Sequence, residues 1–133
     1  LGRSDMDRLI LEMGAWSTEG PLVQRAAAAG LCEPGLLSEE RYSRKTIDIL
    51  DKITASIAEA RDRKSTGFLA LRKGLGYCCS VAVAANPGYG EPVFEKWLAS
   101  QDKDIRWIMK QNLAKKRLIR MDKNWVEKRL NAA

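Results

Sequence analysis

The sequence contains no histidine. That absence removes the commonest general base, the commonest metal ligand and every Ser-His or Cys-His nucleophile arrangement. Cysteine is scarce as well: Cys32, Cys78 and Cys79 are an odd number without CxxC spacing, and neighbours in sequence do not readily bridge each other. They read as small buried hydrophobes in a reducing compartment, so a cytoplasmic location is expected. No GxxxxGKS-type phosphate loop occurs, and "GLGYCC" at 74–79 lacks the third glycine and preceding strand of a dinucleotide fingerprint. Gly74 and Gly76 are instead expected where helices approach closely. Long uncharged runs are missing too. The longest, from Gly74 to Gly90, has 17 residues and contains Pro87 and four glycines, so no membrane partner is expected. The first residues show no basic, apolar and small-residue succession of a secretory leader. Nothing in these patterns asks for a cofactor or a metal ion, and no residue is assigned a catalytic role.

What is present is a globular composition. The 133 residues are 45% hydrophobic and 30% charged, which suits one monomeric domain over residues 1–133 with a core of its own. Apolar residues recur at helical spacing almost throughout. Ser4 and Asp5 predict the cap of a first helix carrying Leu9, Ile10, Met13 and Trp16; a second runs from Gly20-Pro21 to Pro34-Gly35. Ser38 precedes the longest expected helix, 39–62, whose inner face is Tyr42, Thr46, Ile49, Ile53, Ile57 and Ala60. A fourth helix over 66–85 is apolar nearly all round and should be buried between neighbours. Val93, Phe94, Trp97 and Leu98 define a fifth, with Trp97 expected in the core. The stretch 102–120 makes a sixth, and Trp125, Val126 and Leu130 a last short one. No run reads as a strand. The predicted fold class is therefore all-α, with about seven helices in antiparallel pairs, arranged as an α-solenoid or a compact helical array.

The stretch "DKDIRWIMKQNLAKKRLIR", residues 102–120, carries the strongest signal. Ile105, Ile108, Met109, Asn112, Leu113 and Ile119 fall on one buried arc of a helical wheel. Lys103, Arg106, Lys110 and Arg117 fall within about 60° of one another as a cationic stripe, with Trp107 beside it. Lys116 falls inside the buried arc, which predicts an end or bend near that residue. The stretch resembles the second helix of a HEAT repeat through Asp102, Asp104, Ile105, Arg106 and Leu113, with the preceding 90–99 helix as its pair mate. Residues 66–118 carry most of this resemblance, and Val23, Arg25 and Leu31 form a weaker copy; the long 39–62 helix departs from the repeat length. The resemblance implies a surface offered to partners. HEAT-like repeats are also the scaffold of alkylpurine DNA glycosylases, but no residue here matches their catalytic positions one by one.

Charge is unevenly distributed. Residues 1–40 hold three basic and seven acidic side chains, net −4; residues 41–100 hold ten and six, net +4; residues 101–133 hold ten and four, net +6. Such asymmetry steers an acidic partner, protein or nucleic acid, toward the basic C-terminal half. The candidate binding residues are Lys103, Arg106, Trp107, Lys110 and Arg117, extended by Arg72 and Lys73 and by "RDRK" at 61–64. A basic ridge beside an aromatic ring suits phosphate contact and base stacking. Its structural alternative has Arg106 paired with Asp102 and Trp107 packed near Trp97. A base-excision enzyme is the competing function, with Asp62, Asp102, Asp104 and Asp122 as candidate carboxylates. An aspartate with a raised pKa in a cleft near Trp107 would favour the enzyme; aspartates satisfied by helix N-terminal amides would favour the scaffold.

Overall fold

A computed structural model describes residues 3–17, 19–32 and 36–132. Among them the chain is wholly helical: α1 (Arg3–Trp16), α2 (Pro21–Leu31), a 3-10 turn (Leu36–Ser38), α3 (Glu40–Ala58), α4 (Thr66–Ala85), α5 (Pro87–Leu98), α6 (Lys103–Leu113), α7 (Lys116–Met121) and α8 (Lys123–Ala132). The all-α array expected from periodicity is present, with eight α-helices where seven were expected. The additional one comes from the 102–120 stretch. Ala114 and Lys115 break it, and Lys115 takes an extended conformation (φ −76°, ψ 135°). A continuous helix would have placed Lys116 in the core. The break resets the register instead, so Leu118 is fully buried while Ile119, expected inside, is exposed.

Helix ends follow local chemistry. Ser65 caps α4 by accepting from the Phe68 amide at 3.1 Å, as serine does at this position. Asn86 closes α4, accepts from the Tyr89 amide at 3.4 Å to begin α5, and donates to Ser43 Oγ at 3.1 Å. Asp102 caps α6 through the amides of Asp104 and Ile105 at 2.9 and 3.2 Å. Asp122 caps α8 through the Trp125 amide at 3.0 Å. Two boundaries differ from expectation. Helix α1 begins at Arg3, ahead of the Ser4/Asp5 pair expected to cap it. Helix α3 ends at Ala58 rather than near residue 62, which leaves α4, at 20 residues, the longest. Arg63 supplies the reason, because its guanidinium donates to the carbonyls of Ile57, Ala58 and Ala60 at 2.9, 3.4 and 3.1 Å. The terminal carbonyls thus find donors without another helical turn. The Pro34-Gly35 stop after α2 lies outside the described residues.

The helices form two layers. In one, α3 packs between α1 and α5; in the other, α4 packs between α2 and α6. Within each layer neighbours run parallel, as the matched contacts require. Asp7 meets Arg41 and Gly14 meets Ile49 along α1 and α3; Arg72 meets Asp104 and Ser80 meets Asn112 along α4 and α6. Sequence neighbours run antiparallel, since the end of α4 at Asn86 meets the start of α3 at Ser43. The wide apolarity of α4 follows from this central position. It has the length and mean hydropathy (1.3) of a membrane-crossing segment, and more than half of that segment is buried against other helices.

One large core cluster runs from Ala28 and Cys32 through α3, α4 and α6 to Leu118, Trp125 and Val126. A smaller one, Ile10, Met13, Ala27, Leu31 and Tyr42, lies under α1, and Ile49 touches both. The glycines on α4 are close-contact points, as their sequence context predicts. A Cβ at Gly74 would lie 3.3 Å from Arg25 Cγ, and one at Gly76 would lie 3.4 Å from Trp107 Cζ3. Trp97, expected in the core, is only half-buried. Phe94 takes the core position on α5, stacked edge-on to Trp125 at 5.5 Å, while the Trp97 indole donates to Asp51 Oδ1 at 2.7 Å at the layer edge. A tryptophan with one polar atom is readily placed where that atom finds an acceptor.

Candidate functional site

The central feature of the basic half is a four-residue ionic lock. Arg63, in the connection between α3 and α4, forms two parallel hydrogen bonds with Asp102: Nη1 to Oδ1 at 2.9 Å and Nη2 to Oδ2 at 2.7 Å. Nη1 also donates to Asp104 Oδ2 at 2.9 Å, and Arg72 Nε donates to the other oxygen of Asp104 at 2.8 Å. Forked arginine–carboxylate pairs are the geometrically favourable kind. The Arg63 guanidinium, helped by the amides of Ile105 and Asp104, holds the Asp102 carboxyl below the usual carboxylate range against the opposing effect of burial. The lock joins the end of α3, the first turns of α4 and the start of α6.

Trp107 belongs to the same assembly. The Arg72 guanidinium lies over its ring, 3.7 Å from the centroid, and its edge meets Gly76. Such stacking of a partly desolvated arginine on tryptophan is favourable. One ring face is therefore covered, and the packing partner is α4 rather than Trp97. Arg63, read in the sequence as part of a basic extension, is engaged with two carboxylates and three carbonyls.

The remaining candidates are distributed over three helices. Lys103 and Lys110 are exposed on α6 with Arg106 half-buried between them, and Lys73 is exposed on α4. Arg117 does not continue the α6 stripe because it lies on α7. There its Nη2 donates to Tyr77 Oη at 2.9 Å, and its guanidinium sits 4.9 Å from the Tyr77 ring centroid. Lys115 approaches the same ring at 5.8 Å, and Arg25 of α2 packs at Gly74, one turn before Tyr77. Tyr77 and Lys115 were not singled out by sequence reading, and Arg25 was read only as part of the weaker repeat copy. Tyr77 sits in an apolar run, and its cationic neighbours come from other helices. Only its position among exposed residues 69 and 73 on the wheel could have found it.

The four aspartates weighed as catalytic groups all have partners, three of them backbone amides. Asp102 and Asp122 are helix caps. Asp62 accepts from the Lys64 amide at 3.2 Å, and Asp104 is held between two arginines. The pocket beneath α3, α4 and α5 is lined chiefly by apolar side chains such as Ile47, Leu50, Val83, Phe94 and Met109, and takes in none of the four aspartates. No group of three or more Cys, Asp or Glu side chains suited to a metal ion is found among the described residues.

No protein-family model matches the chain, and no curated protein or solved structure matches it either.

Proposed function

We propose that this chain is a non-catalytic, HEAT-like binding scaffold whose α2–α4–α6 face receives the phosphate backbone of a nucleic acid. The observation that carries the reading is the segregation of charge between layers. Helices α1, α3 and α5 together hold seven basic and eight acidic residues, against six basic and one acidic in α2, α4 and α6, and Asp48 and Asp51 are engaged with Tyr89 and with Lys96 and Trp97. The other layer displays Arg25, Lys73, Lys103, Arg106 and Lys110, and its carboxylate Asp104 is already held by two arginines. An excess of cations on one face is the footprint of phosphate contact. The repeated two-layer packing of parallel helices supports the repeat-scaffold part of the proposal. A protein partner would be anchored by large apolar side chains among the charges; those exposed in this layer, Leu22, Val23, Leu69 and Tyr77, stand on α2 and α4, and none is on α6, where Lys103 and Lys110 are exposed. The engaged aspartates support binding over base excision. The covered face of Trp107 supports backbone contact over base stacking.

The test is a salt titration of binding to a short DNA duplex, comparing the parent with the combined Lys73→Gln, Lys103→Gln and Lys110→Gln variant. Arg72 and Arg117 are left intact because each packs on an aromatic ring. The variant is expected to bind more weakly to any sequence, to reduce the slope of log K against log salt by up to about 3 units, and to unfold within about 1 kcal/mol of the parent. Absence of duplex affinity in the parent at about 50 mM salt, where electrostatic binding is strongest, would overturn the nucleic-acid reading and leave an acidic protein surface as the partner.

A further inference from the structure

Around Tyr77 the side chains offer hydrogen-bond donors and nothing to receive them. Tyr77 of α4 is 48% exposed. Its hydroxyl oxygen accepts from Arg117 Nη2 at 2.9 Å, so its own hydrogen is left to donate. The Arg117 guanidinium and Lys115 Nζ stand 4.9 and 5.8 Å from the ring centroid. Arg25 comes from α2, its stem laid against Gly74, which precedes Tyr77 by one turn on the same side of α4. Among the described residues no carboxylate pairs with Arg25, Lys115 or Arg117. Helices α2, α4 and α7 contain no aspartate or glutamate, and Asp104, the one acidic residue of α6, is held by Arg63 and Arg72. Like charges gathered at one hydroxyl repel one another until an anion enters between them.

We propose that Tyr77, Arg117, Lys115 and Arg25 form a binding site for a phosphate monoester. The unused groups are all donors, so the ligand must accept on every side, which excludes amines and cations. A phosphate monoester brings three terminal oxygens and close to two negative charges at neutral pH. An internal phosphodiester has two such oxygens and one charge, and so answers fewer of these donors. Arg117 supplies a planar fork, Lys115 a compact charge and Tyr77 a neutral donor that fixes orientation. The ring of Tyr77 already holds the Arg117 guanidinium in place, so little side-chain freedom is lost when the anion arrives. The site is open to solvent: Arg25 and Tyr77 are exposed, and Lys115 and Arg117 are half-buried. It rests on the nucleic-acid reading only for the source of the phosphate. In that reading the monoester is the terminal phosphate of a strand; a small phosphorylated molecule carries the same group.

Two measurements test the site and its source separately. Inorganic phosphate is titrated at constant ionic strength while backbone amide chemical shifts are followed. Binding of a DNA duplex with and without terminal phosphates is compared at about 100 mM salt. Saturable shifts at residues 77, 115 and 117 are expected, and they should be lost in the combined Tyr77→Phe and Lys115→Gln variant, which keeps a ring for Arg117. The phosphorylated duplex should bind about tenfold more tightly, through one or two added charge-assisted hydrogen bonds. Replacing Lys73, Lys103 and Lys110 by glutamine should weaken both duplexes and leave that ratio unchanged. Absence of saturable shifts at these residues, or shifts equal in the parent and the Tyr77/Lys115 variant, overturns the site while leaving the backbone-binding reading in place. With the shifts present, equal affinity for the two duplexes supports the site with a small phosphorylated ligand. Shifts without any duplex affinity support the site and overturn the nucleic-acid reading alone.

Discussion

Asp102 performs two tasks with one carboxylate. Its Oδ1 satisfies the orphan amides at the start of α6, and both oxygens receive the forked guanidinium of Arg63. Since the folded-state carboxyl lies below its unfolded value near about 3.9, it stabilises the fold at neutral pH. That contribution fades as pH falls below the unfolded value and through the folded one. Asp102→Asn is therefore expected to lower stability by about 1–3 kcal/mol at pH 7 and by less at pH 3, where the parent has begun to lose the same contribution. Urea midpoints at the two pH values check this, and an equal deficit at both would contradict it. Asn112 is a second polar residue with several partners: it accepts from the Ser80 amide at 2.7 Å and donates to the carbonyls of Leu75 and Ile108 at 2.9 and 2.7 Å. The helical wheel placed Asn112 on the buried arc. Its partners on α4, like those of Asp102 in the α3–α4 connection, depend on which helices become neighbours, and no local pattern encodes that.

Among the described glycines, the one closest to its neighbours lies at the corner where α4 turns into α5. A Cβ at Gly90 would fall 3.0 Å from Val83 Cα, a backbone atom that cannot step aside, whereas one at Gly88 on the same helix would meet nothing within 4 Å. Helix propensity alone favours alanine over glycine at both positions by about 0.5–1 kcal/mol. Gly88→Ala should accordingly raise the thermal midpoint slightly. Gly90→Ala should lower it, by an amount corresponding to about 1–3 kcal/mol of overpacking. If both substitutions stabilised, the corner would be looser than described. Element boundaries were legible for the apolar run 66–85, which forms α4 with the same bounds. They were misplaced where a distant side chain intervenes, as Arg63 does at the end of α3. The α6–α7 break left one trace in the sequence, the lysine at position 116 on an otherwise apolar arc.

Across the whole molecule, the acidic-to-basic gradient was readable by counting, but its resolution into two faces was not. Which cations share a surface depends on how the helices pack, and this put Arg117 on α7 beside Tyr77 with Lys115, and Arg25 of α2 against α4 at Gly74. The two core clusters make the stack uneven. Everything from α4 to α8 shares one continuous interior, while the patch beneath α1 consists of Ile10, Met13, Ala27, Leu31 and Tyr42, linked onward through Ile49. The outer fastening of α1 to α3 is the exposed pair Asp7–Arg41 at 3.0 Å, of a kind worth at most about 1 kcal/mol. Opening α1 therefore exposes little apolar surface and leaves the larger interior closed. Amide hydrogen exchange should reveal this as an order of release, with α1 protons lost through a low-energy opening and α4 protons only through global unfolding. Equal protection in both helices would mean a single cooperative unit. Otherwise the protein dismantles from its acidic end, and its basic face is the last part to come apart.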